Sequence, residues 1–177
     1  ADSAGAQATA IQAIATAGPA TGSISNAGTI NAFASVVGGG FTTVTVGTVE
    51  YVVPTGADTA QAVGIHVNGT QNLATVSNSG TISVTAVNDG AATVTTATTL
   101  AAPFVPVAAT GILFTGAGTA PASGTATINN SGTIVAMVEN DGVLDFGNAI
   151  NVQNAPNAVD INLLGGGDIF GNIEISA

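Results

Sequence analysis

The chain has 177 residues with ten acids, one His, no Lys, no Arg and no Cys, for a formal charge of −10. With no fixed positive charge it has nothing to neutralise phosphates, which excludes a nucleic-acid partner and attachment to an anionic membrane surface. Its 46% hydrophobic content is too high for a disordered chain, and its 4% aromatic content leaves Val, Ile, Leu and Ala to build the core in thin layers.

Residues 1–22 are Ala-rich around Ala10-Ile-Gln-Ala-Ile-Ala15, where Ile11, Ala13 and Ala15 alternate with Gln12 and Ile14. Period two predicts a first strand, with a short capping helix as the competing reading. Ala1-Asp2-Ser3 fits a mature end left by cleavage after a small residue.

From residue 24 the chain repeats itself. Ile24-Ser-Asn-Ala-Gly-Thr-Ile30, Val76-Ser-Asn-Ser-Gly-Thr-Ile82 and Ile128-Asn-Asn-Ser-Gly-Thr-Ile134 place Gly28, Gly80 and Gly132 at a spacing of 52 residues. In each copy an apolar residue ends one strand. Asn and Gly then supply a sharp corner with left-handed backbone, and Thr-Ile opens the next strand with Ile inward. After the second corner, Ile82, Val84 and Ala86 alternate with Thr81, Ser83 and Thr85. After the third, Ile134, Ala136 and Val138 form the inward set. Stacked side chains of Asn26, Asn78 and Asn130 would satisfy one another inside the corner, a stabilising role.

A second motif precedes each corner: Ala62-Val-Gly-Ile-His-Val67, Ala109-Thr-Gly-Ile-Leu-Phe114 and Ala158-Val-Asp-Ile-Asn-Leu163, with Ala8-Thr-Ala-Ile-Gln-Ala13 as a weaker first copy. Its central isoleucines are 54, 47 and 49 residues apart, so the constant 52 reads as partly accidental and the variable intervals as loop insertions. Further strands are predicted over Phe41–Val53, Ala92–Leu100 and Ala149–Val152, with Pro54, Pro103, Pro106, Pro121 and Pro156 between strands. Gly171-Asn-Ile173 repeats the corner idea near the end. The most apolar stretch, Leu100–Phe114, is broken by Pro103, Pro106 and Gly111, so no membrane-inserting segment is expected.

These elements predict an all-β chain, a right-handed parallel β-helix (β-solenoid), with an antiparallel sandwich as runner-up. Residues 1–22 form the N-terminal strand or cap, and residues 23–177 the repeats, in approximate units 24–75, 76–127 and 128–177. At two coils to each unit of roughly 50 residues the expectation is about seven coils, a rod of about 35 Å at about 4.8 Å per layer.

The pairing of Gly-Ile-x-Val with Asn-Ser-Gly-Thr-Ile over Gly64–Ile82 resembles passenger regions of bacterial autotransporters. Val159–Ile173 resembles rungs found nearer the translocating barrel of that family. Filamentous-haemagglutinin-like exoproteins use a similar Asn-x-Gly-x-Ile corner. The resemblance covers most of residues 24–175 and rests on structural motifs, so it implies fold, secretion and display at a bacterial surface, and no activity.

No catalytic residue is predicted. His66 lies between Ile65 and Val67 and faces outward, so pairing it with Ser77 or Asp58 would give a nucleophilic site without an oxyanion donor. β-Helical polysaccharide lyases need a cation against developing negative charge, and none exists here. Glu50, Asp58 and Asp89 are scattered. Among Glu139, Asp141 and Asp145, a conceivable glycosidase set, Asp141 belongs to a turn, Asn140-Asp-Gly142, repeated from Asn88-Asp-Gly90. Gly165-Gly-Gly-Asp168 is similar to a calcium-binding nonapeptide turn, but one copy lacks the stacked neighbour that shares the ion, so no cofactor is expected beyond that weak calcium candidate at Asp168. The pairs Thr43/Thr45, Thr93/Thr95 and Thr125/Thr127 suggest an ice-binding face, yet their offsets share no period.

The expectation is therefore a non-enzymatic extracellular structural protein, an adhesin stalk or filament subunit. It would self-associate end to end, because nothing after Ile173 resembles a cap and an open end presents unpaired backbone groups. Glycans or host surfaces are the other candidate partners. The alternative is a carbohydrate-active β-helix enzyme, or a module binding glycan, ice or calcium.

Overall fold

The computed structural model describes residues 5–16, 18–36, 41–46, 49–54, 59–89, 107–116, 124–140 and 142–175, and every regular element among them is a β-strand. In chain order the first pass comprises β1 (Gly5–Ile14), β2 (Pro19–Ala20), β3 (Ser23–Asn26) and β4 (Thr29–Val36). Next, β5 (Phe41–Val46) and β6 (Val49–Pro54) form an antiparallel hairpin. The second pass is β7 (Thr59–Asn68), β8 (Gln71–Asn72), β9 (Thr75–Asn78) and β10 (Thr81–Asn88). The third is β11 (Val107–Thr115), β12 (Thr125–Asn130) and β13 (Thr133–Asn140), followed by β14 (Val143–Phe146). A fourth pass adds β15 (Asn148–Asn154), β16 (Ala158–Leu163) and β17 (Asp168–Phe170), and β18 (Asn172–Glu174) follows.

Corresponding strands of successive passes lie side by side. Sheet 1 has the order β1-β7-β11-β15-β18, sheet 2 the order β4-β10-β13, and sheet 3 the order β3-β9-β12-β16. The pairing in these sheets is parallel throughout, apart from β14. On the outer side of β13, Thr133–Val135 pair with β17 in parallel, while Met137–Asn140 pair with β14 in antiparallel.

Strict alternation makes this arrangement possible, because each strand turns one set of side chains inward and the other outward. In β4 the pattern is unbroken: Ile30, Ala32, Ala34 and Val36 are buried and Thr29, Asn31, Phe33 and Ser35 exposed. The inward residues line up across the sheets in rows. Ile11, Ile65, Ile112, Ile150 and Ile173 are consecutive partners in sheet 1. Ile30, Ile82, Ile134 and Ile169 are partners in sheet 2, and Ile24, Val76, Ile128 and Ile161 in sheet 3. The middle members of all three rows are fully buried and belong to one cluster with the small Ala residues between them. With residues this small, the core is thin and each missing methyl group is felt.

Several expectations are corrected by this register. Ile30, Ile82 and Ile134 are direct partners in adjacent strands, so a 52-residue unit is one pass through the sheets, not two. The described residues make four passes and β18, in place of about seven coils. The spacing of 52 is the ladder register of sheets 2 and 3 and no accident. The variable intervals belong to sheet 1, whose offsets of 54 and 47 residues absorb insertions between β4 and β7 and between β10 and β11. The fourth partner in the row of Ile112 is Ile150, whereas Ile161 lies in sheet 3 beside Ile128. Alternation looks the same in every sheet, so the strand pattern alone assigned Ile161 to the wrong one.

Phe41–Val53 divides into the two strands of a hairpin, and Pro54 closes β6 opposite Phe41 instead of lying between strands. Ala92–Leu100 lies outside the described residues. No helix forms in residues 5–14, where β1 carries the alternating Ile11 and Ala13.

Candidate functional site

The feature that the sequence builds most carefully is the corner between sheets 3 and 2. Asn26, Asn78 and Asn130 end β3, β9 and β12, and all three are buried, at 7%, 1% and 1% exposure. Their carboxamides form a directed chain. Asn26 Nδ2 donates to Asn78 Oδ1 at 2.8 Å, and Asn78 Nδ2 donates to Asn130 Oδ1 at 2.7 Å. The same nitrogens reach Thr81 O and Thr133 O. At the start of the chain Asn26 Oδ1 accepts from Gly28 N, and at its end Asn130 Nδ2 donates to Gly132 O. The chain stops there because the fourth pass places Leu163 opposite Asn130.

Gly28, Gly80 and Gly132 follow two residues later, and none of them has left-handed backbone. The expected conformational reason for these glycines is therefore replaced by another. A Cβ at Gly80 would collide with the carbonyl of Gly28, and one at Gly132 with that of Gly80, whereas Gly28 faces open space. Backbone bonds draw the corners together at this point: Thr81 N donates to Gly28 O at 2.8 Å and Thr133 N to Gly80 O at 2.9 Å. Ile30, Ile82 and Ile134 then open the next strands, with 8%, 0% and 0% exposure.

The fourth corner is not Gly171-Asn-Ile173. It is Leu164–Asp168, where Leu164 N donates to Asn130 O and Asp168 N to Gly132 O, and Ile169 then takes its place beside Ile134. Gly165-Gly-Gly-Asp168, weighed as a calcium turn, thus performs the corner's backbone work with Gly166 at φ 93°. Ile173 belongs to sheet 1.

A second amide pair joins Asn88 Nδ2 to Asn140 Oδ1 at 2.9 Å, and Val36 occupies the equivalent place on β4. Asn88 Oδ1 has no partner among the described residues, and neither does Asn72 Oδ1. Asn157, which the repeats do not single out, imitates a strand. Its Oδ1 accepts from Asn72 N and its Nδ2 donates to Asn72 O, both at 2.7 Å. No sequence signal marks it, because the motif occurs once and the partner is 85 residues away.

His66 is half-buried on the outer face of β7, with Gln12 and Leu113 as its strand neighbours. Its Nε2 lies 2.8 Å from Thr115 Oγ1, and burial lowers its pKa from the ordinary 6.5. Ser77 is in sheet 3, away from it, and Asp58 lies outside the described residues. Glu139 and Asp145 flank one hairpin, Glu139 opposite Leu144 and Asp145 opposite Val138. Asp145 Oδ1 accepts from the neighbouring Phe146 N. Asp141 and the pair Thr93/Thr95 lie outside the described residues, as do the side chains of Thr43, Thr45 and Glu50. Thr125 and Thr127 are on the outward face of β12.

Among the described residues no three of His, Cys, Asp and Glu gather as a metal site, and no helix is long and apolar enough to cross a membrane. The polar groups that are brought together hold one pass to the next. No family model, curated protein or solved structure matches this chain.

Proposed function

We propose that this chain is a structural segment, a right-handed parallel β-helix that serves as an adhesin stalk or filament subunit outside a bacterial cell. The observation that supports it best is the in-register return of the chain to the same three sheets, with Asn26, Asn78 and Asn130 bonded in a line. A right-handed hand follows from the general rule for parallel crossovers. The buried amides and the corner glycines are spent on joining successive coils, and this is the chemistry of a rod. The corner motif's resemblance to autotransporter passengers and haemagglutinin-like exoproteins points the same way, towards secretion and display.

The test has two arms. Antibody against the folded chain should label intact cells of the source organism as strongly as opened ones; labelling only after lysis would remove the surface reading. Incubation with a panel of neutral and acidic polysaccharides should release neither reducing ends nor unsaturated products. Product formation would replace the structural reading with that of a carbohydrate-active β-helix enzyme.

A further inference from the structure

We infer that the outer face of sheet 1 holds a neutral sugar unit, in a hollow between the Gln7–Gln61 amide pair and Ala108. The inference rests on the structural reading above and names what the side of such a rod would bind.

The hollow follows from one row of the register. Gln7, Gln61 and Ala108 are successive partners on β1, β7 and β11, and all three are exposed. Two long side chains are thus followed by a methyl group, which leaves the space above β11 open. The cavity measures about 420 Å³, the size of a small-molecule site. Gly5, Ala6 and Gln7 of β1, Thr59 and Gln61 of β7, and Ala108 line it. Gln61 sits on a strand that is paired on both sides, so the hollow opens outward from the sheet and does not depend on a free edge.

Gln7 Nε2 donates to Gln61 Oε1 at 2.6 Å. That bond leaves Gln7 Oε1 as an acceptor and Gln61 Nε2 as a donor, neither with a partner among the described residues. Two adjacent hydroxyls of a sugar complement such a pair, because a hydroxyl both donates and accepts. Thr59 adds a third polar group, and its strand partner Gly5 has no side chain to cover it. Since each carboxamide already holds the other, little side-chain freedom is lost on binding.

Charge selects the class of ligand. β1, β7, β11 and β15 contain no Asp or Glu, in a chain that has ten. An acidic sugar meets no cation here and is repelled by the net charge, while a cationic one finds no carboxylate in the lining. A peptide adding as a strand needs a free edge, which β7 lacks.

The intact ¹⁵N-labelled chain can be titrated with the methyl glycosides of glucose, galactose, mannose and N-acetylglucosamine. At least one should shift the side-chain amide signals of Gln7 and Gln61 saturably, whereas glucuronic acid and glucosamine should leave them in place. Gln61→Leu removes the amide and should weaken binding by about tenfold, the loss of one good hydrogen bond. Ala108→Trp fills the hollow from the third strand without touching the pair and should abolish binding, and it decides the matter if Gln61→Leu loses the fold. Both positions are exposed, so the variants should keep the parent's circular dichroism and urea midpoint. No saturable shift with any neutral glycoside, an equal response to the charged sugars, or binding that survives Ala108→Trp overturns the inference and leaves the structural reading standing. So does a response to a Gly-Ser peptide in place of the sugars. Polysaccharide cleavage would instead sink the structural reading.

Discussion

At the scale of single residues, the corner separates two reasons for a polar or small side chain. Asn78 is both donor and acceptor in the amide line, whereas Asn130 is its last member and turns its amide to Gly132 O. Asn78→Ala leaves Asn26 Nδ2 with Thr81 O alone and strands the Oδ1 of Asn130 in the interior, at about 1–3 kcal/mol for the unsatisfied group. Urea unfolding should therefore show a larger loss for Asn78→Ala than for Asn130→Ala; equal losses would mean that the line does not act as a unit. Glycine gives a sharper contrast. Gly28→Ala meets no atom within 4 Å and should leave the urea midpoint nearly unchanged, while Gly80→Ala drives its Cβ into the Gly28 carbonyl and should unfold or severely destabilise the chain. His66 supplies the pH dependence. Its folded pKa is depressed by burial, so the unfolded chain binds the proton more readily. The stability that this histidine contributes is present above about pH 6.5 and is lost as pH falls through the lowered value. In thermal melts, His66→Gln should reduce the drop in Tm between pH 7.5 and pH 5 relative to the parent.

At the scale of elements, the strands are held by rows rather than by bulk. Ile82 sits between Ile30 and Ile134 with 0% exposure, and its Cγ2 lies over Gly64, which has no side chain to fill a void. Ile82→Ala should cost about 2–5 kcal/mol. Ile30→Ala, in the edge strand β4, should cost less, and denaturant curves for the pair measure the difference. The β13–β14 hairpin follows from Asn140-Asp-Gly142, where Gly142 at φ 78° suits the tight turn. The same tripeptide follows β10 as Asn88-Asp-Gly90, and residues 90–106 lie outside the described residues. β14 covers half of the β13 edge and leaves Val143, Leu144 and Phe146 exposed.

For the whole molecule, the ten acids have no cation to offset them, so the formal charge of −10 repels itself in the folded state, which is held together by apolar burial and backbone pairing. Added salt should therefore raise the urea midpoint of the parent, as the screening of like charges shortens their reach, and a midpoint that does not move with salt would show that self-repulsion is not felt.

The first three corners and the inward residues that follow them are written in the sequence, because alternation and the Asn-x-Gly-Thr-Ile motif are local and recur at 52 residues; the fourth corner, which lacks the motif, is not. Ile30, Ile82, Ile134 and the line of Asn26, Asn78 and Asn130 are legible for that reason: equal spacing puts equal residues in register. Tertiary structure decided which strand joins which sheet. Ile150 and Ile161 carry the same local pattern, and only the pairing of β15 with β11 and of β16 with β12 tells them apart. It also decided that one repeat is one pass, since a count of short strands does not say how many are needed to come round. The reason for the glycines and the partner of Asn157 are likewise products of packing. Each depends on an atom contributed by a different pass of the chain, and no local pattern encodes that atom's position.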